Sequence, residues 1–368
     1  MAIDRMDTHS HRRELVWIAI VALILVGITV VQLFTTPRPL APKLCGRCFA
    51  GLVPGRGTVF LQMNFSGDKV SGSGSLGADS IHLTGERDTS GNLQVRAIQW
   101  DGDGERTNGV FTGSIIPQPA CFRGSWLPGG MTNPIRVELQ QLADIMEVRR
   151  KAGLRIGRFG GTKEFTLIYP DFPSPLPFHR DINRRLRDHA VQAAKDFTGG
   201  ALAHALDGVR WPGSHEWESE NSIDVVYFSG ELVSLKEFNY EFTGGAHGNG
   251  GDTGLNFISD GGQAREFQLA DLFEPGGDWE SCLSDVCIAD LQRQQASSVT
   301  DGAIPKLNAD EMGSFNVSPA GLQIHFSPYA VGSYAEGSFD VLVRWETLRS
   351  CLRTNGPTKL LTALNNSR

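Results

Sequence analysis

Charge is what one long run near the start of this chain lacks. From Leu15 to Phe34 no side chain is charged, in a protein of 368 residues. A helix of that length, at ~1.5 Å per residue, spans roughly 30 Å, the hydrocarbon thickness of a bilayer. Arg5, Arg12 and Arg13 precede it, within the reach over which basic residues hold a terminus in the cytoplasm. The expected topology is a single-pass inner-membrane protein, N-terminus cytoplasmic and the later domains periplasmic or otherwise extracytoplasmic. Proline crowds the cleavage point in Thr35-Thr36-Pro37-Arg38-Pro39, which favours an uncleaved anchor over a signal peptide.

Other absences narrow the chemistry. No long basic block occurs and the net charge is −7, which argues against a nucleic-acid partner. No G-x-S-x-G elbow is present, so a serine hydrolase of that type has no support. No H-E-x-x-H helix exists, and the remaining histidines are scattered. Asp101-Gly-Asp103-Gly-Glu105 begins like a calcium loop, but Arg106 and Thr112 stand where an EF-hand needs Gly and Glu. Gly248-Asn-Gly-Gly-Asp252-Thr-Gly is similar to a calcium β-roll repeat, yet that structure needs consecutive copies. No complete catalytic constellation emerges, and neither a cofactor nor a metal is expected.

Cysteine is scarce but even in number: Cys45, Cys48, Cys121, Cys282, Cys287 and Cys351. In an oxidising exterior all six are disulfide candidates. Cys45-Gly-Arg-Cys48 has redox or zinc spacing, but no second CxxC completes a zinc site and no strand-to-helix context surrounds it. A structural disulfide is the leading reading, with Cys121 one open choice of partner for either member of this pair. Cys282 and Cys287 on one regular helix would have Cα atoms ~8.6 Å apart, too far to bridge. Either that helix is interrupted, or one of them pairs with Cys351.

What the chain has in quantity is glycine, 43 residues concentrated where strands turn. Val59, Leu61, Met63 and Phe65 alternate with smaller or polar residues, the period of a half-buried strand. Ser66-Gly67-Asp68, Asp88-Thr89-Ser90-Gly91-Asn92 and similar turn signals recur at short intervals. The expected fold is an N-terminal single transmembrane helix, a small all-β antiparallel domain, and then an α+β domain with an antiparallel sheet and two main helices. Its expected parts are a cytoplasmic tail (1–14), the anchor (15–34), a proline stalk (35–55), the β-rich accessory domain (56–142), the α+β domain (143–355) and a C-terminal tail (356–368). The first main helix runs from about His179 to Phe197, with Ile182, Leu186, Ala190, Ala193 and Phe197 on one stripe. The second spans roughly Trp279 to Gln295.

Two loops stand out as candidate ligand-binding surfaces. Thr243-Gly244-Gly245-Ala-His247-Gly follows a strand of alternating large residues. Its glycines let another surface approach the main chain, and its histidine suits a general base, a metal ligand or a hydrogen-bonding anchor. Tyr329, Tyr334 and Glu336 mark the second, since exposed tyrosines bury much area at small entropic cost. The structural alternative for both is a turn packed on the core. A hydrolase using His247 needs a carboxylate beside it, for which Asp252 and Asp271 are the near candidates in sequence.

These segments resemble a known family. Thr243-Gly-Gly-Ala-His247-Gly, then Asn256-Phe257, then Leu269-Ala-Asp271-Leu272-Phe273, look like the extracytoplasmic domain of the lysozyme-sensing anti-sigma factor RsiV and its relatives. The run from Phe315 through Pro328-Tyr329 and Tyr334-Ala-Glu336-Gly337 is similar to it as well, and Asp181-Ile182-Asn183 resembles the start of a companion module. The similarity covers about Glu164 to Leu352. It implies an RsiV-like sensor of the envelope that recognises a lysozyme-like protein or a cell-wall glycan without catalysis. In RsiV, binding licenses proteolysis that frees a sigma factor; other relatives join the domain to cell-wall deacetylases. An anti-sigma role does not follow for this chain, because Met1 to Glu14 is too short to supply a sigma-binding segment. The rival functions are a peptidoglycan hydrolase using His247 and a structural envelope protein.

Overall fold

The computed structural model describes residues 40–362, apart from 78, 102–103, 157–158 and 200–213. Eight strands come first: β1 (Lys43–Val53), β2 (Gly57–Ser66), β3 (Lys69–Leu76), β4 (Asp79–Arg87), β5 (Asn92–Asp101), β6 (Gly104–Pro117), β7 (Ala120–Pro128) and β8 (Ile135–Ile156). Each pairs antiparallel with the next, and β1 also pairs with β8, so the eight close into a barrel. Alternation puts Val59, Leu61 and Met63 of β2, and Leu93, Val95 and Ala97 of β5, inside it. Phe111 stacks obliquely on Trp126 at 4.4 Å and meets Phe122 edge-on at 6.2 Å. Side chains fill the interior, as eight-strand closure requires.

The sheet does not end at closure. β8 is 22 residues long; its first half pairs with β7 and β1, and its second half runs on beside β9 (Phe159–Asp171). β10 (Ser214–Phe228), β11 (Leu232–Phe242), β12 (Asn249–Asp260) and β13 (Gln263–Glu266) continue one 13-stranded sheet. β9 and β10 are parallel, with helix α1 (Pro177–Thr198) between them in sequence. A second sheet, β14 (Phe315–Ser318), β15 (Gly321–Phe326) and β16 (Phe339–Val343), lies against β10, β11 and β12. Helix α2 (Trp279–Arg293) packs on β16, and its Leu283 and Leu291 share a core with Ile324 and Val341.

The expected small all-β domain followed by a separate α+β domain is therefore overturned. The chain is mostly β, with an eight-strand barrel whose sheet continues into everything after it. Two features hid this from local patterns. β1 falls within the proline- and cysteine-bearing stretch read as a stalk. β8 runs unbroken through residue 142 because Val137, Leu139, Ala143, Ile145 and Val148 stay buried as the strand changes partners. The expected transmembrane helix is also missing from the described residues, where no helix is long and apolar enough to cross a membrane. Leu15–Phe34 itself lies outside them.

The disulfide expectation fails as well, since all six cysteines are free thiols. Cys45 and Cys48 share one extended strand, where residues three apart are ~10 Å apart. Cys48 pairs with Ala143 and Cys121 with Gln140, so β8 stands between them. Burial pushes the Cys48 thiol up, and raises Cys45 to about 11 as it donates to the Ile145 carbonyl at 3.3 Å. Cys282 faces Cys351 as a hydrogen-bonded thiol and is pushed up to about 11 by that bond. Cys287 is buried on α2 and raised to about 12 by desolvation.

Candidate functional site

Helix α1 and the sheet face beneath it frame a groove of about 680 Å³. The i, i+4 spacing of Phe178, Ile182, Leu186, Ala190 and Ala194 buries one stripe of α1. The adjoining stripe, His189, Ala193 and Phe197, is left to wall the groove. Opposite it stand Phe165 and Leu167 of β9, Ser219 and Asn221 of β10, and Glu237, Asn239 and Glu241 of β11. Strand alternation explains the set: every second residue of β11 faces α1. At one end Lys163 donates to the carbonyls of Phe197 and Gly199, at 3.0 and 3.3 Å, and lies 4.6 Å from the Trp217 ring centroid. A cation there complements the helix C-terminus.

The groove holds one ionisable pair. His189 Nε2 is 2.8 Å from Glu237 Oε1, with the carboxylate side chain only 7% exposed. That hydrogen bond raises the His189 pKa above its ordinary value, against the opposing cost of burial. The Asn221 amide is spent on the Thr166 carbonyl and the Ser219 hydroxyl, which fixes its orientation.

At the mouth the two sequence-singled loops meet. The β11–β12 loop carries Thr243, Gly244, Gly245 and His247; the β15–β16 loop carries Tyr329, Tyr334 and Glu336. The His247 and Tyr334 rings stack at 3.7 Å with 19° between their planes. Tyr334 donates its hydroxyl proton to the Gly248 carbonyl at 2.7 Å, and His247 Nδ1 lies 2.9 Å from the same oxygen. Tyr329 lies 5.5 Å from Tyr334, remains 61% exposed, and holds φ at 72°. A non-glycine residue in that left-handed region stores roughly 1–2 kcal/mol of strain, a frequent mark of a contact surface.

The remaining expected residues separate. Thr243 lines the groove beside Asn249, Gly250 and Ser327. Gly244 and Gly245 sit exposed at the loop tip with φ near 100°. Glu336 turns away and accepts from the Ser297 amide and hydroxyl and the Ser333 amide, bonds that hold its carboxyl at about 2. Its role is to pin the tyrosine loop. Neither carboxylate expected beside His247 is free for it: Asp252 pairs with Lys236 at 3.6 Å, and Asp271 accepts from the Gln268 amide at 3.0 Å and faces Arg265.

Sequence reasoning missed His189, Glu237, Asn221 and Asn239. The available signal was polar residues recurring at period two within Leu232–Phe242, opposite a helix stripe broken by a histidine. Glycine's part in positioning the mouth is steric. A Cβ on Gly251 would overlap the Ser327 hydroxyl, and one on Gly254 would overlap the Phe315 carbonyl.

Comparison with known proteins gives two partial family matches. Residues 162–250 match the family described as deacetylase PdaC, a span holding α1 and most of the groove walls. Residues 270–346 match DUF3298, a protein family of unknown function, over α2 and the second sheet. No curated protein matches the chain significantly. Among solved structures, a DUF3298 family protein from Pseudomonas aeruginosa PAO1 aligns at 15% identity and a TM-score of 0.42, over 58% of this chain and 95% of its own. A second, from Bacteroides fragilis, aligns at 16% identity and 0.43, over 58% and 94%.

Proposed function

We propose that the chain is a non-catalytic binding protein of the cell envelope that holds its ligand in the α1 groove and against the His247–Tyr334–Tyr329 cluster. One observation carries this reading: a groove within the size range of ligand sites opens beside an exposed aromatic cluster. Amide and carboxylate groups line the groove, while aromatic rings at its mouth offer contact area. The two family matches, one of them to a deacetylase family and both overlapping the Glu164–Leu352 resemblance, support an envelope setting. The uncharged Leu15–Phe34 run behind three arginines supports a location at the inner membrane with Pro42 onward outside the cytoplasm. Following the RsiV resemblance, a lysozyme-like protein and a cell-wall glycan are the ligands to test.

The test is retention of lysozyme and of soluble peptidoglycan fragments by the immobilised full chain. Tyr329→Ala and Asn239→Ala should each weaken retention of the true ligand about tenfold or more, the scale of an anchor residue. Retention of neither ligand, or retention indifferent to both substitutions, sinks the proposal. A hydrolase centred on His247 is not favoured, because the partners such chemistry needs are engaged elsewhere.

A further inference from the structure

On the sheet face opposite the groove, β12, β15 and β16 bring three donor-bearing side chains together. One oxygen each from Asp252 and Asp340 and a ring nitrogen of His325 all lie within 4.8 Å of one another. His325 is 3% exposed. Its protonation is legible from its neighbours. Asn316 Nδ2 donates to the Leu235 carbonyl at 2.7 Å and to Ser234 Oγ at 2.8 Å, which fixes its amide so that Oδ1 faces His325. His325 Nε2, 2.8 Å from that oxygen, must therefore carry hydrogen. Nδ1, 2.7 Å from Asp340 Oδ1, donates its own N–H to that carboxylate.

Exchange of the Nδ1 proton for a cation would leave the ring as metal-bound histidines are held, one nitrogen toward the cation and the other N–H locked by a fixed acceptor. We propose that Asp252, His325 and Asp340 bind a first-row divalent cation, zinc being the best fit. Two carboxylates balance the double charge, and the imidazole selects against magnesium and calcium. Tetrahedral donors at ~2.1 Å from a zinc stand roughly 3.4 Å apart, so the His325–Asp340 pair at 2.7 Å would open slightly while Asp252 moves in. Asp340, whose side chain is 39% exposed, gives access from solvent. Any proton on Nδ1 leaves to bulk water as the cation arrives. The resident competitor is Lys236, whose ammonium lies 3.6 Å from Asp252. A bound cation would tie β12 of the large sheet to β15 and β16 of the small one.

The experiment is calorimetric titration of zinc chloride into the chelator-treated full chain, with melting temperature followed in parallel. Saturable one-to-one binding and a raised melting temperature are expected. Asp252→Asn, nearly isosteric and at a partly exposed position, should weaken binding at least about tenfold, as should His325→Gln. Lys236→Met removes the competing charge and should tighten binding several-fold. Circular dichroism identifies variants that retain the fold, and only those count. No saturable binding by either the natural protein or Lys236→Met overturns the proposal. So does an affinity unchanged in folded Asp252→Asn, which would place the zinc on other histidines.

Discussion

The barrel and the strands beyond β8 belong to one sheet, and both bury apolar cores, yet nearly all the buried polar side chains lie beyond β8. Inside the barrel the core is apolar, from Phe49 through Leu139. Past residue 160 the buried set includes Lys163, Asn221, Ser234, Glu237, Asn256, Asn316 and His325, whereas Gln62 is the buried polar residue of the barrel strands among the described residues. Buried polar groups add little net stability and must each be matched, but they dictate a single geometry. The barrel's packing thus serves as support, and the matched polar region holds the groove and the loops in register.

The strongest way to break this contrast is to damage each half and watch the other. Phe111→Ala opens a cavity in the barrel and should cost about 3–5 kcal/mol in urea unfolding. Ligand retention by the folded fraction should survive. Gly254→Ala drives a methyl into the Phe315 carbonyl, should cost about 1–3 kcal/mol, and should abolish retention by displacing the tyrosine loop. Equal loss of retention in the two variants would mean that the halves are not separable.

Acid and base sharpen the comparison at smaller scale. His189 has a raised pKa, so the stability from its bond to Glu237 is complete below the ordinary histidine value and lost as pH rises through the folded value. Melting temperature should therefore fall as pH rises from the ordinary histidine value through the raised one, and His189→Gln should remove that fall. Glu336 behaves in reverse. Its contribution is present above the ordinary carboxylate value and is lost as pH falls through about 2. Glu336→Gln should leave global stability nearly unchanged, with faster amide exchange at Ser297 and Ser333 as the readout.

Local patterns exposed what local forces decide. The 3.6-residue stripe from Ile182 to Phe197 marked α1 from about His179, observed as Pro177–Thr198. Alternation in Val59–Phe65 marked β2. The closure of β1 on β8 depends on pairing between residues about a hundred positions apart, which no window along the chain reports. The cysteines misled because spacing says nothing about which face of a strand a thiol leaves. His247 and Tyr334 were both singled out as loop residues. Their stacking was not legible, because it arises only when Gly251 and Gly254 let the second sheet settle on β12.

β8 has a mechanical consequence. Lys43 at the start of β1 is registered against Glu147, and Glu147 against Ile168 of β9, one residue along from the groove-lining Leu167. That path crosses two hydrogen-bonded ladders and no loop. A pull applied at Lys43 therefore reaches the groove wall as through a stiff plank, so whatever holds the chain there sets the height and tilt of the groove itself.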